Sequence, residues 1–178
     1  MSVEVGIRKV YTSCPFDDLV ALSTFSTFVH TEVIIKNPEK TAYAAYGDKK
    51  PCFEAALHPV RSKCEWVFIP IPIKEPGVNV ERAHEFLKDI LKAKLPYRFP
   101  WLVMAPQWVL HDVEIDLDCE KPDTWGSVFC SQATLLFLRR CAVNNILDIK
   151  DTSPLFQYDS NGASPAYIQS LLAQLGLT

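Results

Sequence analysis

A thiol at a helix start, an imidazole at the mouth of a strand and a carboxylate two residues beyond it could do chemistry together in this sequence. The thiol is Cys130, in the segment Trp125-Gly126-Ser127-Val128-Phe129-Cys130-Ser131-Gln132. With Ser127 as the expected N-cap, Cys130 falls in the first turn of a helix. Free amide hydrogens and the positive end of the helix dipole favour the thiolate there. The same amides can hold an oxyanion during acyl transfer. The alternative role is a buried packing thiol, and only a base close by would set Cys130 apart from it.

Four histidines are available: His30, His58, His84 and His111. His84 falls on the polar face of a helix expected over 81–94 and reads as a solvated surface residue. His58 precedes Pro59 in a turn, and His111 lies in an irregular stretch. His30 differs, because it stands at the mouth of the β-branched run Thr31-Glu32-Val33-Ile34-Ile35-Lys36, where a rigid element can aim a side chain. Glu32 projects from the same strand face as His30, together with Ile34, while Thr31, Val33 and Ile35 form the other face. Two ionisable groups beside core residues are costly unless they are paired or functional. A carboxylate near the imidazole orients it and favours the proton-accepting tautomer, giving a Cys–His–acid arrangement. Glu54, within Cys52-Phe53-Glu54-Ala55, is the alternative third residue. The competing role for Glu32 is an edge-strand charge that discourages aggregation.

The elements that must position these groups follow from periodicity. Thr31 to Lys36, Thr41 to Tyr46, Cys52 to Leu57 and Glu65 to Ile69 are expected strands, separated by Asn37-Pro38, Gly47-Asp48 and His58-Pro59. Pro70 and Pro72 force the last of them to an edge or an exit. Four strands joined by short turns predict an antiparallel meander or small barrel. From Glu81 to Lys94 the apolar residues Ala83, Phe86, Leu87, Ile90 and Leu91 recur at helical spacing. Residues 97–124 read as a long structured loop with a short helix around Trp108. A second helix is expected from Ser127 to Cys141 with Leu135, Leu136 and Leu138 buried. A third should run from Ser164 to Gln174, with Ser164 as N-cap and Pro165 at the first helical position. Strands first and helices last predict an α+β fold rather than a parallel doubly wound sheet.

Composition bounds the function. The chain has 178 residues, which fits one domain over 1–178, and 48% hydrophobic residues exclude a disordered chain. With 18 Lys and Arg against 21 Asp and Glu, the net charge of −3 argues against a nucleic-acid partner. The six cysteines, Cys14, Cys52, Cys64, Cys119, Cys130 and Cys141, form no CxxC element. The N-terminus has no apolar signal core, and no apolar run reaches the roughly 20 residues a membrane span needs. The expectation is therefore a cytoplasmic protein, not secreted by a signal peptide, with no transmembrane segment and reduced thiols; the resemblance described next adds virion association as the alternative.

The run Phe28-Val29-His30-Thr31-Glu32-Val33-Ile34-Ile35, followed by Cys52-Phe53-Glu54-Ala55 and then Phe129-Cys130-Ser131-Gln132, resembles the circularly permuted papain-like branch of the NlpC/P60 superfamily. In that branch a histidine strand precedes the cysteine helix. The sequence looks closest to short bacterial, phage and large-DNA-virus members with a His-x-Glu strand. Leu95-Pro96-Tyr97-Arg98-Phe99 after a helix is similar to their helix and Gly-x-x-Tyr-Asp segment. The resemblance covers most of residues 25–142 and implies a permuted papain-like fold. It implies Cys130 as nucleophile, His30 as base and Glu32 as the acidic partner. Ser131, Phe129, Tyr97 and Gln132 are then oxyanion or pocket residues. Gln132 stands where many relatives have Glu, and Arg98 replaces Asp after the tyrosine.

The resemblance implies a cysteine peptidase, amidase or acyl-ester or thioester hydrolase or acyltransferase acting on a peptide, amide or lipid-ester substrate, without a cofactor. A catalytically inactive interaction module on the same scaffold, such as a virion or host-binding protein, is the rival. A metal protein using His30, Glu32, His111 and Glu114 is a third class, but these residues have no tight ligand spacing, so no metal is expected.

Overall fold

Ser2–Lys9 alternates strictly: Val3, Val5 and Ile7 are fully buried, and Glu4, Gly6 and Arg8 lie between them. That period of two makes it a strand with one core face. It is the first element, β1, of a computed structural model that describes residues 1–11, 15–46, 52–57, 64–96, 128–157, 160 and 163–178. Helix α1 (Pro15–Thr24) follows, then β2 (Phe28–Lys36), β3 (Lys40–Ala45), β4 (Phe53–Leu57) and β5 (Trp66–Ile71). Helices α2 (Pro76–Ala93), α3 (Cys130–Val143) and α4 (Pro165–Gln174) complete the order, with a 3-10 turn at Ser153–Phe156 before α4.

The fold is mixed α+β. The described strands form a five-stranded antiparallel sheet in the order β4-β3-β2-β1-β5. This corrects the expected four-strand meander. β1 inserts between β2 and β5, so the last strand crosses over to pair with the first. β4 and β5 are the two edges, and the described strands do not close into a barrel. Pro70 is tolerated inside β5 because that strand is an edge and one unmade ladder bond faces no partner strand.

One sheet face is continuous with the core. Val3, Val5, Ile7, Val33, Ile35, Tyr43, Phe53, Ile69 and Ile71 point there and pack with Val80, Ala83, Leu87 and Ile90 of α2. Helix α2 starts five residues earlier than its apolar pattern suggests, with Pro76 at the first turn. Its His84 is a correction too: the ring is half-buried and hydrogen-bonds the Tyr43 hydroxyl of β3. Helix α3 is central, since every residue from Cys130 to Arg139 is buried. Its side chains therefore serve as packing on all sides, which is why its amphipathic pattern is weak. It starts at Cys130, with Phe129 in extended conformation as the N-cap residue and no side-chain cap. Ser127, the expected cap, lies outside the described residues. Helix α4 matches its expectation: Ser164 is the N-cap, and its Oγ accepts from the Tyr167 amide. The expected loop over 97–124, with its helix around Trp108, also falls outside the described residues.

The opposite sheet face carries Arg8, His30 and Trp66 in one line across β1, β2 and β5. Arg8 is 5% exposed and grips Asp17 of α1 with two bonds, at 2.5 and 2.9 Å. This buried bidentate pair fastens α1 to the sheet beside His30. Asp17→Ala should lower the unfolding free energy by about 3–5 kcal/mol, because Arg8 stays buried without its match. Lys9→Ala, which breaks the exposed pair with Glu65, should change it by less than about 1 kcal/mol. Urea denaturation of the two variants measures both.

Candidate active site

Strand β2 is longer than its pairing with β3. That pairing ends at Val33–Tyr43, so the β2 edge is open at Thr31 on the side away from β1. The first turn of α3 fills the gap. Thr31 Oγ1 and Thr134 Oγ1 share a 2.9 Å hydrogen bond, and Thr134 Oγ1 lies 3.1 Å from the Cys130 carbonyl. Both threonines are almost fully buried. A buried hydroxyl without a partner is costly, so this contact fixes the register of α3 against β2. Cys130, the first residue of α3, is thereby set beside His30, close enough for the charge of each to act on the other. Residues 100 apart in sequence form one site.

Both groups are withdrawn from water: Cys130 is 6% exposed and His30 8%. Burial alone would raise the Cys130 thiol. The His30 charge, the hydrogen bond to His30 and the backbone N–H groups of Thr31 and Ser131 outweigh burial and hold the thiol below its ordinary range. Burial alone would likewise lower His30. The Cys130 thiolate, and then Glu32, outweigh it and raise His30 to about 9. The two shifts run in opposite directions, the thiol down and the imidazole up, which favours moving the proton from sulfur to the ring.

Glu32 is 1% exposed, and its Oε1 lies 3.4 Å from His30 Nε2, an ion-pair distance longer than a good hydrogen bond. The same Oε1 accepts a 2.8 Å hydrogen bond from the Tyr46 hydroxyl. The Tyr46 ring lies 5.2 Å from the His30 ring, and the Trp66 indole meets His30 edge-on at 6.3 Å. Glu54, opposite Ala44 in β4, is half-buried and reaches this group only as a charge near Tyr46. Among the described residues, Glu32 is the carboxylate beside His30.

The residues flanking Cys130 divide. Ser131 directs its hydroxyl away, donating a 2.6 Å bond to the Ala163 carbonyl at the start of α4, and only its backbone faces the sulfur. Phe129 and Gln132 are buried at the helix entrance. Tyr97 lies outside the described residues. The amides of Cys130, Ser131 and Gln132 precede the first intrahelical bond, which runs from Ala133 to the Phe129 carbonyl. The amides of the first turn are the group that could receive a negative oxygen at the sulfur. Cys52 is different: burial pushes its thiol up to about 11, and its sulfur hydrogen-bonds the Leu95 carbonyl. Cys52, Cys64, Cys130 and Cys141 stand outside any disulfide, while Cys14 and Cys119 lie outside the described residues.

Tyr46, Trp66 and the Arg8–Asp17 pair were not among the sequence candidates. Tyr46 had a usable signal. The three-residue turn 37–39 pairs Lys36 with Lys40, and continuing that register past its last pair puts Tyr46 across from His30. Against models of known protein families, curated proteins and solved structures, the chain shows no match.

Removing the thiolate should expose the sign of each term on His30. In Cys130→Ala, His30 should titrate below its wild-type value of about 9, because its largest favourable charge is gone. In the Cys130→Ala, Glu32→Gln double variant, burial prevails, and His30 should titrate below the ordinary histidine value of about 6.5. NMR titration of the His30 ring measures both shifts.

Proposed function

We propose that the protein is a cysteine hydrolase or acyltransferase of the permuted papain-like type, acting on a peptide, amide or lipid-ester carbonyl. The observation that carries the proposal is Cys130 at the first position of a buried helix, its thiol held low by a charged His30. Desolvated thiolate–imidazolium pairs are the activated form of a nucleophilic cysteine. The order of the two groups, histidine strand before cysteine helix, agrees with the resemblance carried by the sequence motifs.

The chemistry follows from the groups. The Cys130 thiolate adds to the carbonyl carbon, and the charge passes to the carbonyl oxygen, where first-turn amides of α3 receive it. As the tetrahedral adduct collapses, the bond to the leaving amine or alkoxide breaks, and His30 gives that group its proton. The acyl group remains on sulfur as a thioester. Neutral His30 then takes a proton from water, or from another acceptor alcohol or amine, whose attack releases the acyl product and restores the thiolate. Glu32 keeps the ring oriented through both transfers. No helix among the described residues is long and apolar enough to cross a membrane.

Small-thiol-reagent labelling from pH 5 to 9, read site by site by mass spectrometry, tests the activation. Cys130 should label with a midpoint below that of an ordinary thiol, about 8.5. His30→Ala should move that midpoint above about 8.5, because burial then acts alone, and should slow labelling at neutral pH by more than about tenfold. Incubation with a panel of amides, esters and thioesters should trap an acyl group on Cys130. Turnover should rise as the thiol ionises and fall through about 9 as His30 loses its proton. Labelling of Cys130 near 8.5 with or without His30 would sink the enzyme. An activated thiol that accepts no acyl group from any of these compounds would favour the interaction module.

A further inference from the structure

Glu32 is an awkward partner for a histidine. It is fully buried on β2, its nearer oxygen stands 3.4 Å from His30 Nε2, and that distance leaves the pair short of a firm hydrogen bond. A carboxylate in this setting holds its charge and its place only if other donors bind it. The Tyr46 hydroxyl is such a donor, at 2.8 Å, and it binds the very oxygen that faces His30. Its ring meanwhile lies along the His30 ring at 5.2 Å, so one side chain touches both members of the pair.

Tyr46 is well suited to donate. Burial, followed by the Glu32 charge, pushes its phenol above the ordinary tyrosine value, so it keeps its proton. Its position is set by the backbone: it follows β3 directly, and its amide donates to the Cys52 carbonyl at 2.8 Å, just before β4. The other charged and titratable groups around His30 are Cys130 from α3, Glu54 from β4 and, at the paired position on β1, Arg8, whose charge Asp17 of α1 already matches.

We propose that Tyr46 is a positioning residue, which pins Glu32 beside His30 and so keeps the Cys130–His30 pair aligned and charged. The proposal rests on Cys130 and His30 being nucleophile and base, and it adds a fourth member acting only through the third. Loss of the hydroxyl leaves Glu32 less firmly held and less able to carry charge. His30 then loses part of its counter-charge and titrates lower, and the Cys130 thiolate in turn becomes less favourable.

A double-mutant cycle of Tyr46→Phe and Glu32→Gln tests this, read by the pH midpoint of Cys130 labelling, the His30 titration and thermal stability. Tyr46→Phe should slow Cys130 labelling at pH 7 by roughly three- to tenfold and shift its midpoint upward, the size expected from one charge-assisted bond partly transmitted. His30 should titrate lower in the same variant. The double variant should match Glu32→Gln within about twofold, since Tyr46 has nothing left to hold. A Tyr46→Phe protein that melts earlier but keeps the wild-type midpoint and His30 titration overturns the proposal, as does an effect that adds in full to that of Glu32→Gln. If Tyr46→Phe does not fold, 3-fluorotyrosine at position 46 keeps the ring and donates more strongly. It should then move the Cys130 midpoint downward, and an unmoved midpoint overturns the proposal. An ordinary thiol in the wild type would fail the nucleophile assignment itself, whereas an activated wild type with an unresponsive Tyr46→Phe removes Tyr46 alone.

Discussion

The hydroxyl contact between Thr31 and Thr134 sets how far α3 can slide along β2. Both groups are buried, so a slide of one turn would take the Thr31 hydroxyl from its partner, at a cost of about 1–3 kcal/mol, while Thr134 keeps its bond to the Cys130 carbonyl. Ser131 and Arg139 bind the carbonyls of Ala163 and Leu155 elsewhere around the helix, and the apolar packing resists separation more than sliding. What sits at the end of that helix is Cys130, and what sits one residue before Thr31 is His30. A polar latch in an apolar interface thus carries the alignment of thiol and ring.

The same strand solves a problem of charge. His30, Glu32 and the Cys130 thiolate would each be expensive to bury singly. Gathered within one cluster they offset one another, and Tyr46 and the amides of Thr31 and Ser131 supply hydrogen bonds that none of the three could make alone. Arg8 and Asp17 repeat the device one strand away, where a bidentate pair closes on itself at 7% and 2% side-chain exposure. The first cluster sets an imidazole between a thiol and a carboxylate; the second matches one cation with one anion, which also accepts from the Tyr11 amide.

Much of the site was legible because its residues carry unusual costs. His30 and Glu32 two apart on a β-branched run, and Cys130 before the apolar positions of a helix, are visible as types and spacings. The α+β class was legible for the same reason, since period two gives way to period 3.6 after β5, but α1 between β1 and β2 corrects the expected order of strands first and helices last. Tyr46 was not, because its place depends on the hairpin register of β2 and β3 rather than on its neighbours. β1 was missed although Val3, Val5 and Ile7 alternate plainly, since a strand's partners are set by distant pairing: Val5 sits against both Val33 and Ile69. The start of α3 was placed too early because a serine looked like a cap, whereas the extended backbone at Phe129 ends the approach. His84 looked solvated from its helical face, but Tyr43 projects from the sheet far enough to meet it.

The opposite shifts of Cys130 and His30 have a thermodynamic corollary. In the unfolded chain near neutral pH the pair holds one proton, on sulfur. In the folded chain it also holds one, on the imidazole, for as long as Cys130 has released its proton and His30, at about 9, has kept its own. Taken singly, the raised histidine stabilises the fold fully below its unfolded value and loses that stabilisation as pH climbs toward 9. The lowered thiol stabilises it above its own unfolded value and loses that as pH falls. Across the interval between them the two slopes cancel, because proton uptake by folded and unfolded chains is the same. The fold can thus hold a separated pair of charges at its centre without tying its own stability to pH in the range where those charges would work.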